Sequence, residues 1–329
     1  MKSSLVIIPT YNERETLPGV INAVLGHDGF DVLVVDDASP DGTADAVKAM
    51  MAEGKRVSLI ERSGKLGLGT AYTEGFKWGL GREYEYFIEM DADGSHDPGA
   101  LSSFLAAIAQ GADLVIGSRY LNESISVVGW DFKRLLLSKF GNFYASWVLG
   151  LRSTDLTSGY RCFSRKALES IDLGRIHSNG YAFQIEMAYL VSQAGFRIGE
   201  IPIIFYERES GSSKMSKKII REAVILPWKL RLGRMRHDAV NGISTNVTYH
   251  VRTITGFFLV IAGIAITFPM GLWLSTEGDI IEVIHRIKIG LPDWAWVAMK
   301  VGLSVFAAAA LMGIFAALAV AIFAGSRRR

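Results

Sequence analysis

Tyr86-Phe87-Ile88-Glu89-Met90-Asp91-Ala92-Asp93 joins a short apolar run to two carboxylates that are separated by one residue. The run predicts a buried strand, and side chains at i and i+2 of a strand leave the same side. Two such carboxylates can share one hard divalent cation, because Mg²⁺ is usually held by one or two carboxylates together with phosphates. The competing interpretation is a solvated turn, in which Asp97-Pro98 caps and opens the next helix.

Strands and helices alternate along the first 120 residues. Short apolar runs predict the strands, and apolar residues spaced at helical intervals predict the helices. This alternation predicts an α/β fold with a mostly parallel sheet that is covered on both faces. The predicted strands are Leu5–Ile8, Asp31–Val35, Val57–Glu61, Tyr86–Met90 and Leu114–Ile116, and the predicted helices are 13–26, 43–51, 69–80 and 98–110.

Four polar segments directly follow predicted strands. Ligands of parallel sheets bind beyond the carboxyl ends of the strands, so we expect these segments to form one site. Adjacent side chains diverge, and of Asp36 and Asp37 we expect Asp37 to face the ligand while Asp36 caps or packs. The four segments are Thr10-Tyr11-Asn12-Glu13, Asp36-Asp37, Asp91-Ala92-Asp93 and Gly117-Ser118-Arg119.

Composition indicates a second, apolar part of the chain. Its 329 residues exceed one ordinary domain, and its net charge of +2 is too small to indicate nucleic-acid binding. Ile254–Leu274 and Val301–Ala324 are uncharged, and each is about the ~20 residues that cross a bilayer. Buried core helices are the alternative for both runs.

The chain therefore divides into three predicted parts. We expect an α/β domain over 1–216, amphipathic juxtamembrane helices over 217–246, and a transmembrane domain over 247–329 with spans at about 251–274 and 297–324. Basic residues flank the outer ends of the spans, so both termini are predicted to face the cytoplasm. No secretory signal is recognised, and the single Cys162 fits a reducing compartment.

Further motifs within residues 4–222 complete a specific set. They are Pro9-Thr10-Tyr11-Asn12-Glu13, Val35-Asp36-Asp37, Met90-Asp91-Ala92-Asp93-Gly94-Ser95-His96, Gly117-Ser118-Arg119-Tyr120, Trp130-Asp131-Phe132-Lys133-Arg134 with Ser138, Asp155-Leu156-Thr157-Ser158-Gly159, Gly180-Tyr181-Ala182-Phe183-Gln184-Ile185-Glu186-Met187 and Glu207-Arg208-Glu209-Ser210-Gly211-Ser212-Ser213-Lys214-Met215. Together they resemble family 2 glycosyltransferases of the GT-A (Rossmann-like) fold, and within them the polyprenol (dolichol) phosphate mannose synthases.

The resemblance implies an inverting, membrane-bound enzyme whose catalytic domain is 1–216. It would move mannose from GDP-mannose to polyprenyl or dolichyl phosphate, giving polyprenyl-phosphate mannose and GDP, with Mg²⁺ or Mn²⁺ as cofactor. It also implies three sets of site residues, of which Asp91, Asp93, Arg119, Arg134 and Ser138 would be catalytic. The donor set is Pro9, Tyr11, Glu13, Asp37, Asp91, Ala92, Asp93, Arg119, Arg208 and Lys214; the metal set is Asp91, Asp93 and Ser95, which stands where some relatives have Gln; the acceptor-phosphate set is Arg119, Arg134 and Ser138.

The residue chemistry agrees with an anionic acceptor. Arg134 and Ser138 are four residues apart on the predicted helix 130–150, so they share a face and can contact one phosphate. The alternative for Arg134 is contact with lipid headgroups. A phosphate monoester is already an anion and needs no strong base, so catalysis reduces to alignment and stabilisation of the leaving nucleotide. Asp155 and Glu186 are accordingly expected to position or support other groups.

Two other functions fit the same fold. The first is a transferase that moves glucose or an aminosugar from a UDP-sugar to polyprenyl phosphate. The second is a non-catalytic membrane scaffold that only binds a nucleotide sugar. Besides the lipid bilayer as a partner, a homo-oligomer formed through the spans is compatible with the sequence, although no motif indicates one.

Overall fold

The computed structural model describes residues 3–121, 125–130, 132–176, 178–206, 222 and 224–233. Within these ranges, no helix combines the length and the hydropathy that crossing a bilayer requires. Both predicted spans, most of the predicted juxtamembrane segment, Arg208 and Lys214 lie outside the described residues. The domain boundaries at 216 and 246 therefore stay predictions.

Nine strands and seven α-helices are assigned in the described part of the chain. The strands are β1 Ser4–Thr10, β2 Phe30–Asp36, β3 Val57–Glu61, β4 Tyr86–Glu89, β5 Leu114–Ser118, β6 Val127–Val128, β7 Arg161–Ser164, β8 Ile198–Pro202 and β9 Phe205–Tyr206. The helices are α1 Leu17–Leu25, α2 Thr43–Ala52, α3 Leu68–Leu80, α4 Leu101–Ala109, α5 Phe132–Leu149, α6 Arg165–Glu169 and α7 Tyr181–Gln193.

Seven strands form the main sheet, in the order β3-β2-β1-β4-β7-β5-β8. The pairs β1–β2, β1–β4, β2–β3 and β5–β8 are parallel, which confirms the mostly parallel α/β sheet. The central strands are buried on both faces, as their continuous apolar sequences require. β7 pairs antiparallel with both β4 and β5. No sequence pattern indicates this strand, because it opens with the charged Arg161.

Element boundaries differ from the predictions where local chemistry competes with periodicity. The predicted helix 98–110 begins as a short 3₁₀ helix, Pro98–Ala100, in which the Asp97 carboxylate accepts a hydrogen bond from the Gly99 N–H at 2.8 Å. α4 then continues to Ala109. The segment Ile198–Tyr206 divides between two sheets, because β8 belongs to the main sheet whereas β9 pairs with β6 in a second, two-stranded sheet.

Helix α3 packs unusually close to the sheet at two glycines. A Cβ atom at Gly75 would lie 2.6 Å from Ile7 Cγ2, and one at Gly79 would lie 2.6 Å from Phe87 Cε1. Ile7 and Phe87 are fully buried in the same hydrophobic cluster, so neither has room to move away. These glycines therefore set the distance between α3 and strands β1 and β4.

Gly75→Ala is expected to lower the free energy of unfolding, although alanine favours helix by about 1 kcal/mol. The clash with Ile7 is an overpacking change of about 1–3 kcal/mol, which outweighs the gain in propensity. Gly19→Ala in α1 is the matched control, because a Cβ there meets nothing within 4 Å. Thermal unfolding of the full chain in detergent checks both: the midpoint should fall for Gly75→Ala and rise for Gly19→Ala. A higher midpoint for both variants would contradict this account of α3.

Candidate active site

The carboxyl ends of β1, β2, β4 and β5 lie at one edge of the sheet, as predicted from the four polar segments. β1, β2 and β4 are neighbours, and β5 runs in the same direction beyond the antiparallel β7. Because β7 is antiparallel, the loop that precedes it reaches this edge as well. That loop contains Asp155 and Gly159, so a fifth segment joins the site.

The metal-binding candidates follow β4. Asp91 and Asp93 are partly exposed, and Ala92 between them is buried. The Ser95 N–H donates to Asp93 Oδ1 at 3.0 Å, which holds the turn against that carboxylate. The Ser95 hydroxyl is buried and makes no hydrogen bond to any described residue, so it is a polar atom without a partner there, two residues after Asp93. No group of three or more His, Cys, Asp and Glu side chains is arranged for a metal within the described ranges.

These oxygen ligands fit a cation whose remaining ligands come from the substrate. Two carboxylates and a hydroxyl offer only oxygen, which Mg²⁺ and Mn²⁺ accept, and Mg²⁺ commonly takes its other ligands from water and substrate phosphates. A self-sufficient protein cage would need more ligands than the described residues bring together. The residues therefore fit a divalent cation that binds together with a diphosphate.

His96 supports the first of the two carboxylates. The Asp91 N–H donates to His96 Nδ1 at 3.1 Å, and His96 Nε2 lies 3.9 Å from Asp91 Oδ2. The imidazole is buried, stacks on the Tyr160 ring at 4.7 Å and contacts the Phe205 ring edge at 5.8 Å. The buried His96 is thus placed to orient Asp91.

Some of the predicted donor residues at β1 and β2 are exposed, and others are hydrogen-bonded within the protein. Tyr11 is 36% exposed and lies under the Lys65 ammonium, 3.6 Å from the ring centroid. Asp36 packs as predicted, accepting hydrogen bonds from the Thr10 and Ser39 hydroxyls at 2.8 and 2.6 Å. Pro9 and Glu13 are half-buried at the same edge.

Asp37 is hydrogen-bonded to other residues of the protein. Its carboxylate accepts from Arg62 Nη1 at 2.6 Å and from the backbone N–H groups of Leu66 and Gly67 at 3.1 and 3.2 Å. Both Asp37 and Arg62 are buried. In this arrangement Asp37 fixes the glycine-rich loop that begins α3, and its contact with a ligand stays a prediction.

Arg119 and Asp155 form a buried ion pair on the other side of the site. Arg119 Nε donates to Asp155 Oδ2 at 2.6 Å, and Arg119 Nη2 donates to Asp155 Oδ1 at 2.7 Å. Asn142 and Thr157 also donate to the Asp155 carboxylate, at 3.2 Å each. Burial acts to lower the pKa of Arg119, but the charge of Asp155 outweighs it and raises that pKa. Nη1 of Arg119 makes no hydrogen bond within the described residues, so it remains as a donor for an anion.

The other predicted acceptor residues lie beside Arg119. The Tyr120 hydroxyl donates to Ser138 Oγ at 2.8 Å, which joins the end of β5 to α5. Arg134 Cζ lies 4.2 Å from the centroid of the Trp130 ring, and Arg119 Cζ lies 5.2 Å from the same centroid. The structure therefore brings Arg119, Arg134 and Ser138 into one cluster.

Comparison with known proteins identifies the family. The model of the family described as Glycosyl transferase family 2 matches residues 5–172. The chain belongs to glycosyltransferase family 2. It is 48% identical over 246 residues to the polyprenol monophosphomannose synthase of Mycolicibacterium smegmatis, covering 73% of this chain and 91% of that protein. It is also 48% identical over 224 residues to the undecaprenyl-phosphate mannosyltransferase of Micrococcus luteus, covering 67% of this chain and 90% of that protein.

Solved structures support the GT-A-like fold of this glycosyltransferase. Glucosyl-3-phosphoglycerate synthase from Mycobacterium tuberculosis, in complex with phosphoglyceric acid, matches with a TM-score of 0.51 and 19% identity over 70% of this chain and 80% of that chain. Its complex with Mn²⁺, UDP and glucosyl-3-phosphoglycerate matches with a TM-score of 0.52 at the same identity and coverage. At this identity the likeness shows the fold alone.

Several residues of this family 2 enzyme that shape the site were not predicted. Glu200 on β8 accepts hydrogen bonds from Ser153 Oγ at 2.7 Å and from the Thr154 N–H at 2.8 Å, which holds the loop before Asp155. Arg161 is fully buried and donates to three backbone carbonyls, those of Leu156, Ser158 and Gln184. Only its place after the Asp155–Gly159 motif could have drawn attention to Arg161.

Glu89 is a buried carboxyl group that precedes the metal-binding candidates on β4. It pairs in register with Arg161 across β4 and β7, and neither of its carboxyl oxygens has a hydrogen-bond partner among the described residues. Burial raises the pKa of Glu89 to about 8, against the opposing charge of Arg161. The nearby Gln184 side chain acts to lower the same pKa, although it makes no hydrogen bond of normal geometry with Glu89.

Asp93→Ala is expected to abolish binding of Mn²⁺ together with a nucleoside diphosphate, because the remaining carboxylate and hydroxyl are too few to hold the ion. Asp97→Ala is the matched control, since Asp97 lies in the same loop and only caps the 3₁₀ helix. Titration of Mn²⁺ into the full chain with GDP, followed by electron paramagnetic resonance, measures the bound ion. Retention of Mn²⁺ by Asp93→Ala, with a normal unfolding midpoint, would contradict the metal role.

Proposed function

We propose that this enzyme transfers mannose from GDP-mannose to a polyprenyl or dolichyl phosphate, with inversion at the anomeric carbon. The names of the two relatives at 48% identity support a polyprenyl phosphate acceptor and mannose as the sugar. The observation that carries the proposal is that Arg119 and Arg134 both contact the Trp130 ring, at a sheet edge that also holds the carboxylates Asp91 and Asp93. An anionic acceptor fits a site in which cations, and not a base, surround the nucleophile.

The state of Asp155 supports an acceptor that is already ionised. A transferase acting on a sugar hydroxyl needs a carboxylate base. Asp155 is the buried carboxylate nearest the acceptor arginines, but both of its oxygens accept hydrogen bonds from Arg119. A phosphate oxygen attacks the anomeric carbon directly while the bond to the GDP oxygen breaks, and no proton has to be removed. Arg119 and Arg134 hold the phosphate and align it for this displacement.

The donor side is proposed to hold the nucleotide through β1, β2 and the metal carboxylates. Pro9, Tyr11, Glu13 and Asp37 would contact guanosine, and Asp91, Ala92, Asp93 and Ser95 would face the ribose, the diphosphate and Mg²⁺ or Mn²⁺. When bound, the cation neutralises charge that develops on the leaving diphosphate. Arg208 and Lys214, outside the described residues, are proposed to close over the same diphosphate.

The exposed surface of α5 supports a position at the bilayer. Phe132, Phe140 and Phe143 are 75%, 62% and 68% exposed, although they are large apolar side chains. Residues 224–233 are helical and contact α5, since the Tyr144 hydroxyl donates to the Val224 carbonyl at 2.6 Å. We propose a multi-pass membrane protein with its catalytic domain and both termini in the cytoplasm, so that this apolar surface meets the lipid carrying the acceptor phosphate.

A matrix of donors and acceptors tests the proposed reaction. The purified full chain in detergent is expected to transfer radiolabelled mannose from GDP-mannose to farnesyl phosphate, and not to farnesol, because the arginines require an anion. UDP-glucose and UDP-N-acetylglucosamine replace the donor in parallel, and thermal unfolding with GDP or UDP plus Mn²⁺ compares the nucleotides. Transfer from a UDP-sugar alone would establish the alternative donor, and no transfer from any donor would favour the scaffold.

Arg134→Ala is expected to raise the KM for farnesyl phosphate about tenfold or more, while the KM for GDP-mannose changes less than about twofold. Loss of a charge-assisted hydrogen bond of roughly 1.5–3 kcal/mol accounts for the size of the effect. Arg175→Ala is the matched control, because Arg175 is an exposed cation on a 3₁₀ helix that pairs with Asp172. Equal increases in both KM values would count against an acceptor role for Arg134.

A further inference from the structure

Trp130 is the common neighbour of the two acceptor arginines. Its ring centroid lies 4.2 Å from Arg134 Cζ and 5.2 Å from Arg119 Cζ, and both distances fall within the roughly 6 Å range of cation–π attraction. Both guanidinium groups therefore contact the same indole, which places them within about 10 Å of each other.

The indole is itself fixed from the other side. Its ring packs edge-on against Phe205 with centroids 5.6 Å apart, and Phe205 contacts the His96 ring at 5.8 Å. The pairing of Val127 with Phe205 in the two-stranded sheet keeps the segment before Trp130 in register. Trp130 thus cannot turn away without disturbing the strand pair and the support of Asp91.

The face of the ring, and not its polar atom, explains this placement. The Trp130 indole N–H is buried and has no hydrogen-bond partner among the described residues. Two guanidinium groups at one indole repel each other, and the negative face of the ring opposes that repulsion before any anion arrives. Arg119 is further restrained by Asp155, whereas Arg134 extends from the partly exposed helix α5.

We propose that Trp130 is a positioning residue that holds Arg119 and Arg134 around one phosphate subsite for the lipid acceptor. This inference rests on the proposed function, since it assigns a role within the acceptor site. Trp130 lowers the cost of bringing two cations together, so the acceptor phosphate meets a preorganised pair. A phenylalanine retains an aromatic face at this position, and an aliphatic side chain does not.

The test uses Trp130→Phe and Trp130→Leu in the full chain, with Trp78→Leu as the matched control. Trp78 makes the same kind of contact with Arg82, at 3.4 Å, but on α3. Initial rates are measured with farnesyl phosphate and GDP-mannose varied in turn. Trp130→Leu is expected to raise the acceptor KM about tenfold and the donor KM less than twofold, whereas Trp130→Phe raises the acceptor KM less than about threefold. The control should leave both KM values unchanged.

Calorimetric titration of farnesyl phosphate without donor gives a second measurement that needs no turnover. The same order of affinities is expected, with wild type and Trp130→Phe binding more tightly than Trp130→Leu. Equal effects of the Phe and Leu variants, or parallel increases in both KM values, would overturn the proposal. If Trp130→Leu does not fold, Trp130→Met replaces it as the variant without a ring. Wild type that binds farnesyl phosphate but transfers no mannose would instead refute the proposed function.

Discussion

The buried ion pair between Arg119 and Asp155 determines what the site can do. Removing two charges from water is costly, and such a pair is tolerated only when its geometry is good and its remaining atoms are satisfied. Here the contact is bidentate, and Asn142 and Thr157 donate further hydrogen bonds to the Asp155 carboxylate. Within the described residues, the same contact leaves Arg119 Nη1 without a hydrogen bond, and it occupies the Asp155 carboxylate that could otherwise act as a base. This one ion pair therefore places a guanidinium group at the site and keeps the neighbouring carboxylate from acting as a base.

The antiparallel strand β7 is what brings Asp155 to Arg119. In a fully parallel sheet, the loop before a strand lies at the opposite edge from the ligand. Because β7 runs against β4 and β5, the loop before it lies at the carboxyl edge. Arg161, the first residue of β7, ties that loop to α7 through backbone carbonyls of Leu156, Ser158 and Gln184. One reversed strand thus adds the loop of Asp155 to the edge where the polar segments after β1, β2, β4 and β5 lie.

Sequence patterns predicted the elements whose signals are local. β1 to β5 are short apolar runs with polar residues after them, and α1 to α3 carry apolar residues at helical spacing, so the edge that holds Asp91 and Asp93 could be located. β7 could not, because it opens with a charged residue, Arg161, and no local pattern indicates that carbonyls of the preceding loop and of α7 would satisfy this side chain when it is buried. Asp37 shows the same limit: its partners Arg62, Leu66 and Gly67 come from the following strand and loop, and no spacing indicates them.

The strand order also sets the separation between the two charged sides of the site. β7 alone stands between β4, which leads to the carboxylates, and β5, which leads to Arg119. Two strand spacings are about 10 Å, so the carboxylates and Arg119 follow strands that are roughly this far apart. The Phe205 ring contacts the His96 ring on one side and the Trp130 ring on the other, so the three rings form a continuous row. Because packed interiors deform little, this row of rings links His96, which contacts Asp91, to Trp130, which contacts Arg119.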